Sequence, residues 1–326
     1  MTDLFVAPTE VPDPIPRDGW GRPLVIPESG GKRVAYTRCT TYVSVLEDTY
    51  NLQKWMQRMV AVGITQRPDI HLQIAALAGD PDANKKQLDQ ACEAAREAAA
   101  ASAAATTGSA LHQLTELIDR GRDVGVIPEA YQADLDAYRA ATAHMKHLYI
   151  EQFCVHDPLK IGGTPDRISE VDGKRYIGDV KTGNIEYGIG KIAMQFAVYA
   201  RSKLYNPQTG ARTLHDAEVD KGIIIHLPAG QGRCDLYWVD LIEGWAGVKH
   251  AKDVREWRTR KFTDLTQRYV TLAQVTDHLD VQARIQAATS VEDLTRIWAE
   301  HEADWTDHLT RLAAERKAAL SEGARA

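Results

Sequence analysis

The sequence predicts an α/β fold in which a mixed β-sheet is flanked by helices and followed by a helical C-terminal extension. One observation is a hairpin pattern in residues 161–183, where two runs of alternating apolar residues flank Asp172-Gly173. This dipeptide favours a two-residue type I′ turn, because both turn positions need a positive φ. The other is a helical pattern in residues 189–204, which precedes an apolar strand in residues 221–227. Strand, helix and strand in that order predict a crossover back into one sheet.

Composition divides the chain into three parts. Residues 1–35 are rich in proline and poor in large apolar side chains, which predicts an arm that is extended or disordered until it docks. Residues 36–248 carry the strand and helix patterns of the core. Residues 249–326 show helical patterns, so we expect them to form the C-terminal extension.

Charge and cysteine content limit the function classes. The 326 residues have a net charge of −6 and a pI near 6.0, which is no global signature of nucleic-acid binding. The four cysteines are scattered without a CxxC pair, which indicates buried thiols in a reducing cytoplasm. The sequence contains no apolar run long enough to span a membrane, so we expect a cytoplasmic protein without a membrane partner.

Helices precede the hairpin in the predicted core. The alanine-rich residues 84–105 predict one long helix, which Thr106-Thr107-Gly108 interrupts. A second helix then begins at Ser109, and its residues His112 and Glu116 lie four apart on one face. Gly108 would let the start of this helix come close to another element. The pattern also predicts a helix and two further strands, in residues 131–149, 151–155 and 234–239.

The hairpin register brings charged side chains together. If Asp172 and Gly173 form the turn, outward pairing puts Asp166 opposite Asp179, and Lys181 shares their face. Two opposed carboxylates are destabilising unless a cation neutralises them, and carboxylate oxygens suit Mg²⁺ or Mn²⁺. The pattern therefore predicts a metal site, and the alternative is a hairpin whose charges are only solvated.

Four short motifs occur in order on the predicted elements. They are GSALH at residues 108–112, GTPD at 163–166, DVK at 179–181 and QFAVY at 195–199. In this order they resemble the RecB-type branch of the PD-(D/E)XK nuclease superfamily, which includes CRISPR-associated adaptation exonucleases and many phage exonucleases. The resemblance covers residues 36–248.

The resemblance implies a restriction-endonuclease-like core and metal-dependent cleavage of DNA phosphodiester bonds. The metal ligands that it implies are His112, Asp166, Asp179 and the carbonyl of Val180. Lys181 would be the catalytic lysine, acting with the two aspartates. An imidazole ligand such as His112 shifts the preference from Mg²⁺ toward Mn²⁺.

Further residues are candidates for the site. Gln195 and Tyr199 fit its Q-x-x-x-Y motif, which is thought to bind or orient DNA. Glu151 lies where relatives often carry an acid, and Glu116 and Arg167 adjoin the matched motifs. Several relatives hold an iron–sulfur cluster on closely spaced cysteines. Since this chain lacks that spacing, we expect no iron–sulfur cluster.

The expected function is a DNA exonuclease of phage or bacterial recombination, repair or replication. DNA is the expected partner. Two further partners stay open: a recombination or replication protein, and a second copy of this chain in a homo-oligomer. One alternative is a non-catalytic DNA-binding or recombination-partner protein that retains the nuclease fold. Another is a phage structural or assembly protein whose hairpin carboxylates are solvated.

Overall fold

The central sheet forms around the hairpin that the sequence predicts. In the computed structural model, which describes residues 14–99, 103–266 and 272–323, Asp172 and Gly173 have φ angles of 50° and 75°. These are the two positive values that a type I′ turn requires. Val171 pairs with Lys174 next to the turn, so the predicted turn and register are confirmed.

Two compact units make up the chain, and the first ends at Thr259. Its strands are β1 (Leu24–Val25), β2 (Val34–Ala35), β3 (Thr37–Arg38), β4 (Lys146–Ile150), β5 (Cys154–His156), β6 (Ile161–Gly163), β7 (Arg167–Val171), β8 (Lys174–Lys181), β9 (Lys203–Tyr205), β10 (Arg212–Thr213), β11 (Lys221–His226) and β12 (Asp235–Asp240). Its helices are α1 (Cys39–Val43), α2 (Tyr50–Gln66), α3 (Pro68–Leu77), α4 (Lys85–Ala98), α5 (Ala103–Asp119), α6 (Glu129–Thr142), α7 (Ile189–Ala200) and α8 (Leu241–Arg258).

The first unit contains two mixed five-stranded sheets. The central sheet has the strand order β12-β11-β8-β7-β4, in which β8 and β11 are parallel and the other neighbours are antiparallel. The second sheet has the order β10-β9-β5-β6-β3, and only β3 and β6 are parallel in it. Because β11 lies beside β8 after α7, the predicted crossover into one sheet is confirmed.

Helices cover both faces of the central sheet. Ile224 of β11 belongs to one apolar cluster with Phe196 of α7. Its neighbours Ile223 and Ile225 belong to another cluster with Tyr138 of α6. Successive strand residues point to opposite faces, so β11 contributes to both clusters. The predicted mixed sheet with flanking helices is therefore confirmed.

Several predicted element boundaries are wrong; the strand predicted at residues 151–155, for example, begins only at Cys154. Residues 106–108 do not interrupt a helix, because α5 runs from Ala103 through Gly108 to Asp119. Residues 146–149 are not helical, because they pair as β4 with β7. Residues 203–204 belong to β9 and not to α7. In each case contacts with distant parts of the chain outweigh the local pattern.

The described part of the predicted arm, residues 14–35, docks on the second sheet. Its strands β1 and β2 pair with each other. Val25 is fully buried in a cluster with Phe153 and Val155, and the Ile26 N–H donates to the Tyr205 hydroxyl at 2.8 Å. Apolar contact thus orders a segment that has no core of its own.

The second compact unit, Arg260–Ala326, is helical where it is described. Its helices are α9 (Leu272–Ala287), α10 (Val291–Glu300) and α11 (Asp307–Gly323). Ser290 caps α10, because its hydroxyl accepts the Asp293 N–H at 3.1 Å. The expected boundary between residues 248 and 249 falls inside α8. Across the residues that the structure describes, we find no helix with the length and apolarity to cross a bilayer.

Candidate metal centre

Three side chains from three elements converge beside the hairpin. His112 is on α5, Glu151 follows β4, and Asp166 precedes β7. One ligand atom from each lies within 4.8 Å of the other two. His112 Nε2 is 2.8 Å from Asp166 Oδ2 and 3.5 Å from Glu151 Oε1. We call His112, Glu151 and Asp166 the three-residue cluster.

The backbone of the hairpin fixes Asp166. Its Oδ2 accepts a hydrogen bond from the Val180 N–H at 2.8 Å. Its own carbonyl oxygen accepts hydrogen bonds from the Glu151 N–H and from the Arg167 guanidinium, each at 2.9 Å. The carboxylate of Asp166 is therefore held across the strand pair, toward Val180.

Glu151 reaches the cluster through a backbone bend. Its φ of 53° lies in the left-handed region, which residues other than glycine seldom adopt. Such conformations cost about 1–3 kcal/mol, persist where surrounding contacts fix them, and concentrate at functional sites. The bend separates β4 from β5 and leaves Glu151 Oε1 3.9 Å from an Arg167 guanidinium nitrogen.

The close approach of α5 to the end of β8 depends on Gly108. A Cβ at this position would lie 2.4 Å from Thr182 Oγ1, which is closer than van der Waals contact allows. His112 lies four residues later, on the same face of the helix. The predicted close approach is confirmed, although it occurs inside the helix and not at its start.

Two atoms of the three-residue cluster are buried without a hydrogen-bond partner among the described residues, His112 Nε2 and Glu151 Oε1. His112 is close to Asp166, but its ring is not aligned for a hydrogen bond. An unpaired buried polar atom costs about 1–3 kcal/mol, so native proteins seldom leave one. A divalent cation would satisfy both atoms. One imidazole and two carboxylates fit Mg²⁺ or Mn²⁺.

Asp179 does not belong to the three-residue cluster. Its carboxylate contacts Lys181 Nζ, two residues along the same strand face. The expected pair of metal-binding aspartates is therefore divided: Asp166 meets His112 and Glu151, whereas Asp179 meets a lysine. Lys181, Val180 and two members of the cluster, His112 and Asp166, line one cavity of about 580 Å³.

A network of buried polar residues lies beside the cluster. Arg167 is fully buried, and its Nε donates to Asp119 Oδ2 at 2.5 Å. The Tyr138 hydroxyl donates to the same oxygen at 2.7 Å, and His147 Nε2 is 3.3 Å from Asp119 Oδ1. Because Arg167 also binds the Asp166 carbonyl, this network supports the metal centre without lining its cavity.

The other predicted site residues lie outside that cavity. Tyr199 is buried against Gly163, where a Cβ would lie 2.8 Å from the Tyr199 hydroxyl. Gln195, one turn earlier on α7, is half-buried. The DNA-binding role of these two residues stays a prediction. Glu116 forms an ion pair with Arg120 at 2.9 Å.

Two supporting residues, Asp119 and Thr182, are not among the site residues that the sequence predicts. Asp119 could have been found, because it lies two helical turns after His112 on the same face. A buried arginine beside Asp166 also requires a counter-charge. Thr182 carries no such signal, since only the packing of α5 brings it against Gly108.

Neighbouring charges and burial shift the pKa values of the site. Burial, and then the charge of Asp166, raise the pKa of Glu151 to about 7. Contact with Asp166 raises the pKa of His112. Burial alone would raise the pKa of Asp166, but His112 and Lys181 hold it below its ordinary value. Burial lowers the pKa of Lys181, which favours its neutral amine.

The metal-free protein should lose stability as the pH rises from about 4.5 to about 7. The pKa of Glu151 is higher in the folded protein than in the unfolded chain, so its contribution is complete below the unfolded value of 4.5. That contribution is lost as the pH passes the folded value. The shift corresponds to about 3 kcal/mol. Urea unfolding in EDTA across this range should show the loss.

The Glu151→Gln variant should lack this part of the pH dependence. Glu170→Gln is the matched control, because Glu170 lies on β7 opposite Arg175 and outside the three-residue cluster. The control should keep the wild-type slope. An unchanged slope in Glu151→Gln would contradict the assignment of the shift to Glu151.

Comparison of the chain with protein-family models and with curated proteins finds no match. Its function must therefore be inferred from its own residues.

Proposed function

We propose that the protein is a divalent-metal-dependent nuclease that hydrolyses phosphodiester bonds in DNA, acting as an exonuclease. One observation carries the proposal: buried atoms of His112 and Glu151 that lack an aligned hydrogen bond meet the Asp166 carboxylate, beside a cavity that Lys181 also lines. A divalent cation can polarise a phosphate and activate water for hydrolysis, and a nearby lysine can hold or transfer a proton. DNA is the substrate that the four sequence motifs imply.

The sheet topology supports a restriction-endonuclease-like core. The hairpin β7–β8 presents Asp166 and Lys181 at the edge where α5 approaches, and β11 lies parallel to β8 after the helical crossover. The acid before one strand and the D-x-K at the end of the next thus lie on adjacent strands. This is the arrangement that the resemblance implies.

His112, Glu151 and Asp166 would hold the metal. When bound, Mg²⁺ or Mn²⁺ supplies positive charge that polarises a phosphate oxygen and lowers the pKa of water. The protein determines where the cation would bind, because the Val180 N–H and the Arg167 guanidinium hold Asp166 from two sides.

Lys181 would hold or transfer a proton at Nζ. Burial lowers its pKa, so its amine can lose a proton more readily than an exposed lysine. Asp179 contacts this amine and orients it toward the cavity that the cluster lines. Asp179 thus acts through Lys181 as a positioning residue.

Removing a ligand should weaken Mn²⁺ binding more than removing Asp179. In titration calorimetry, Glu151→Gln and Asp166→Asn should each lower the affinity by more than about 100-fold. Asp179→Asn should lower it less, because the Asp179 carboxylate contacts Lys181 and is not a member of the three-residue cluster. Glu170→Gln should bind Mn²⁺ like the wild type. Equal losses in Asp166→Asn and Asp179→Asn would contradict the three-residue cluster.

Digestion of end-labelled linear and circular DNA tests the activity itself. Linear DNA should be degraded with Mn²⁺ or Mg²⁺, circular DNA should stay intact, and EDTA should stop the reaction. Undiminished cleavage in excess EDTA would rule out a metal-dependent nuclease. DNA binding without cleavage under any metal would instead support the non-catalytic alternative.

A further inference from the structure

A second cavity adjoins the one beside the metal centre. It has a volume of about 930 Å³, within the range of ligand-binding sites in proteins. The two cavities share the segment of residues 182–185, which follows β8. A ligand longer than one nucleotide could therefore occupy both.

The far wall of the second cavity is fixed by a buried carboxylate. Asp134 is fully buried and accepts hydrogen bonds from the N–H groups of Gly230 and Gly232, at 2.6 and 2.7 Å. Both glycines have positive φ angles, which the turn requires. The Ala229 N–H also donates to the Thr182 carbonyl at 3.2 Å. These bonds tie the loop to β8 and α6, so the cavity is formed before a ligand arrives.

One side chain in this cavity has an unused polar atom. His226 is only 9% exposed, and its Nε2 lies 3.0 Å from the Gly183 carbonyl. A carbonyl oxygen can only accept, so Nε2 carries the proton. His226 Nδ1 has no partner among the described residues, and in the neutral ring it is an acceptor. An N–H or O–H donor of a ligand in the cavity would satisfy Nδ1.

The remaining walls include two tyrosines, the cationic Arg233 and the acidic Glu186. Tyr131 and the exposed Tyr237 line the cavity, and the Tyr237 ring centroid lies 6.1 Å from that of His226. Arg233 also lines it, and its partly exposed guanidinium lies 3.5 Å from Asp235. Aromatic faces stack on nucleobases, and arginine attracts phosphate.

We propose that the second cavity is a nucleobase subsite, which holds an unpaired base of the DNA chain whose phosphodiester lies in the first cavity. This inference rests on the proposed nuclease function. The base stacks on a tyrosine and donates an N–H to His226 Nδ1. Each of the four bases carries such a donor on its Watson–Crick edge, and pairing in a duplex occupies it. The subsite therefore recognises that a base is unpaired and does not distinguish its identity.

Fluorescence anisotropy with short oligothymidylates tests the subsite. An abasic residue is moved through the oligonucleotide position by position, and binding is measured in EDTA and again with Ca²⁺. At one position the abasic residue should weaken binding to the wild type by roughly 10-fold, the loss expected for one stacked base. His226→Gln can keep the bond to Gly183 but lacks the Nδ1 acceptor. It should weaken binding of the intact oligonucleotide several-fold, and it should reduce the further loss caused by the abasic residue at that position.

His215→Gln is the matched control. His215 is also a buried histidine that bonds a carbonyl, at 3.0 Å from Tyr199 O, but the Ala217 N–H already occupies its Nδ1. This control should bind the oligonucleotides like the wild type. Tyr237→Ala, an exposed position that does not threaten folding, should also weaken binding of the intact oligonucleotide and reduce the abasic effect.

Three outcomes decide between the two proposals. The subsite is supported if, at one position, the abasic residue weakens binding less in His226→Gln and Tyr237→Ala than in the wild type. If the losses simply add, if no position is sensitive, or if the wild type degrades linear DNA without binding the oligonucleotides, the subsite is refuted while the nuclease proposal stands. If the wild type neither binds the oligonucleotides nor degrades linear DNA with Mn²⁺, the nuclease proposal fails and the subsite fails with it.

Discussion

The Lys181→Ala variant should cleave DNA more slowly than the wild type by a factor of about 100 or more. This is the lower end of the range for a group that transfers a proton in the reaction. The substitution removes the amine that contacts Asp179 and leaves the three-residue cluster in place. Single-turnover cleavage of end-labelled linear DNA with saturating Mn²⁺ measures the rate.

Metal binding should not weaken with this substitution. The positive charge of Lys181 acts on Asp166, so its removal should leave the Mn²⁺ affinity unchanged or increase it. DNA affinity should fall only modestly, since one phosphate contact among several is lost. Calorimetry and anisotropy on the same preparation separate these effects from the cleavage rate.

Lys174→Ala is the matched control, because Lys174 lies at the opposite end of β8 in an exposed ion pair with Glu218. This substitution also removes one positive charge from β8, but at a position away from the site. The variant should cleave DNA at a near-wild-type rate. Thermal unfolding of both variants is needed, because Lys181→Ala leaves the buried Asp179 without its cation. If Lys181→Ala cleaves as fast as the control, Lys181 has no catalytic role.

The hairpin and its register could be predicted because they depend on local chemistry. The φ angles of Asp172 and Gly173 fix the turn, and the turn fixes every pairing outward from it. That register places Asp179 and Lys181 on the same face of the sheet. It also directs Asp166 across the strand pair. Nothing beyond residues 161–183 was needed for these features.

The third member of the cluster could not be placed by the same means. Glu151 follows β4, whose residues have a helical pattern and become a strand only because they pair with β7. The left-handed backbone of Glu151 comes from this tertiary setting and has no local sequence signal such as glycine. Its place among the candidate site residues therefore came from a resemblance and not from its own pattern.

The division of the two aspartates also depends on long-range packing. The hairpin alone leaves Asp166 and Asp179 as neighbours. One cation between the two carboxylates would then be the simplest way to neutralise their charges. The approach of α5 brings His112 to Asp166, whereas Lys181 stays with Asp179. That approach is set by Gly108 against Thr182, a contact that no sequence period reveals.

The Asp119→Asn variant should lower the unfolding free energy of the first unit by about 3 kcal/mol or more, the usual result when one partner of a buried ion pair is removed. Arg167 is fully buried, and its nearest other carboxylate, Glu151, is 3.9 Å away. Hydrogen exchange of the β7 and β8 amides is the appropriate measurement, because the chain has two compact units and exchange reports on this sheet alone.

Asp136→Asn is the control for this experiment, because it breaks the exposed Asp136–Arg139 ion pair on α6 and should cost at most about 1 kcal/mol. Adding Arg167→Met to Asp119→Asn should recover part of the lost stability, since no unpaired charge is then buried. The recovered protein should still bind Mn²⁺ more weakly than the wild type, because the Asp166 carbonyl loses its guanidinium donor. If Asp119→Asn costs no more than the control, Arg167 does not depend on Asp119, and the metal centre lacks the buried support described above.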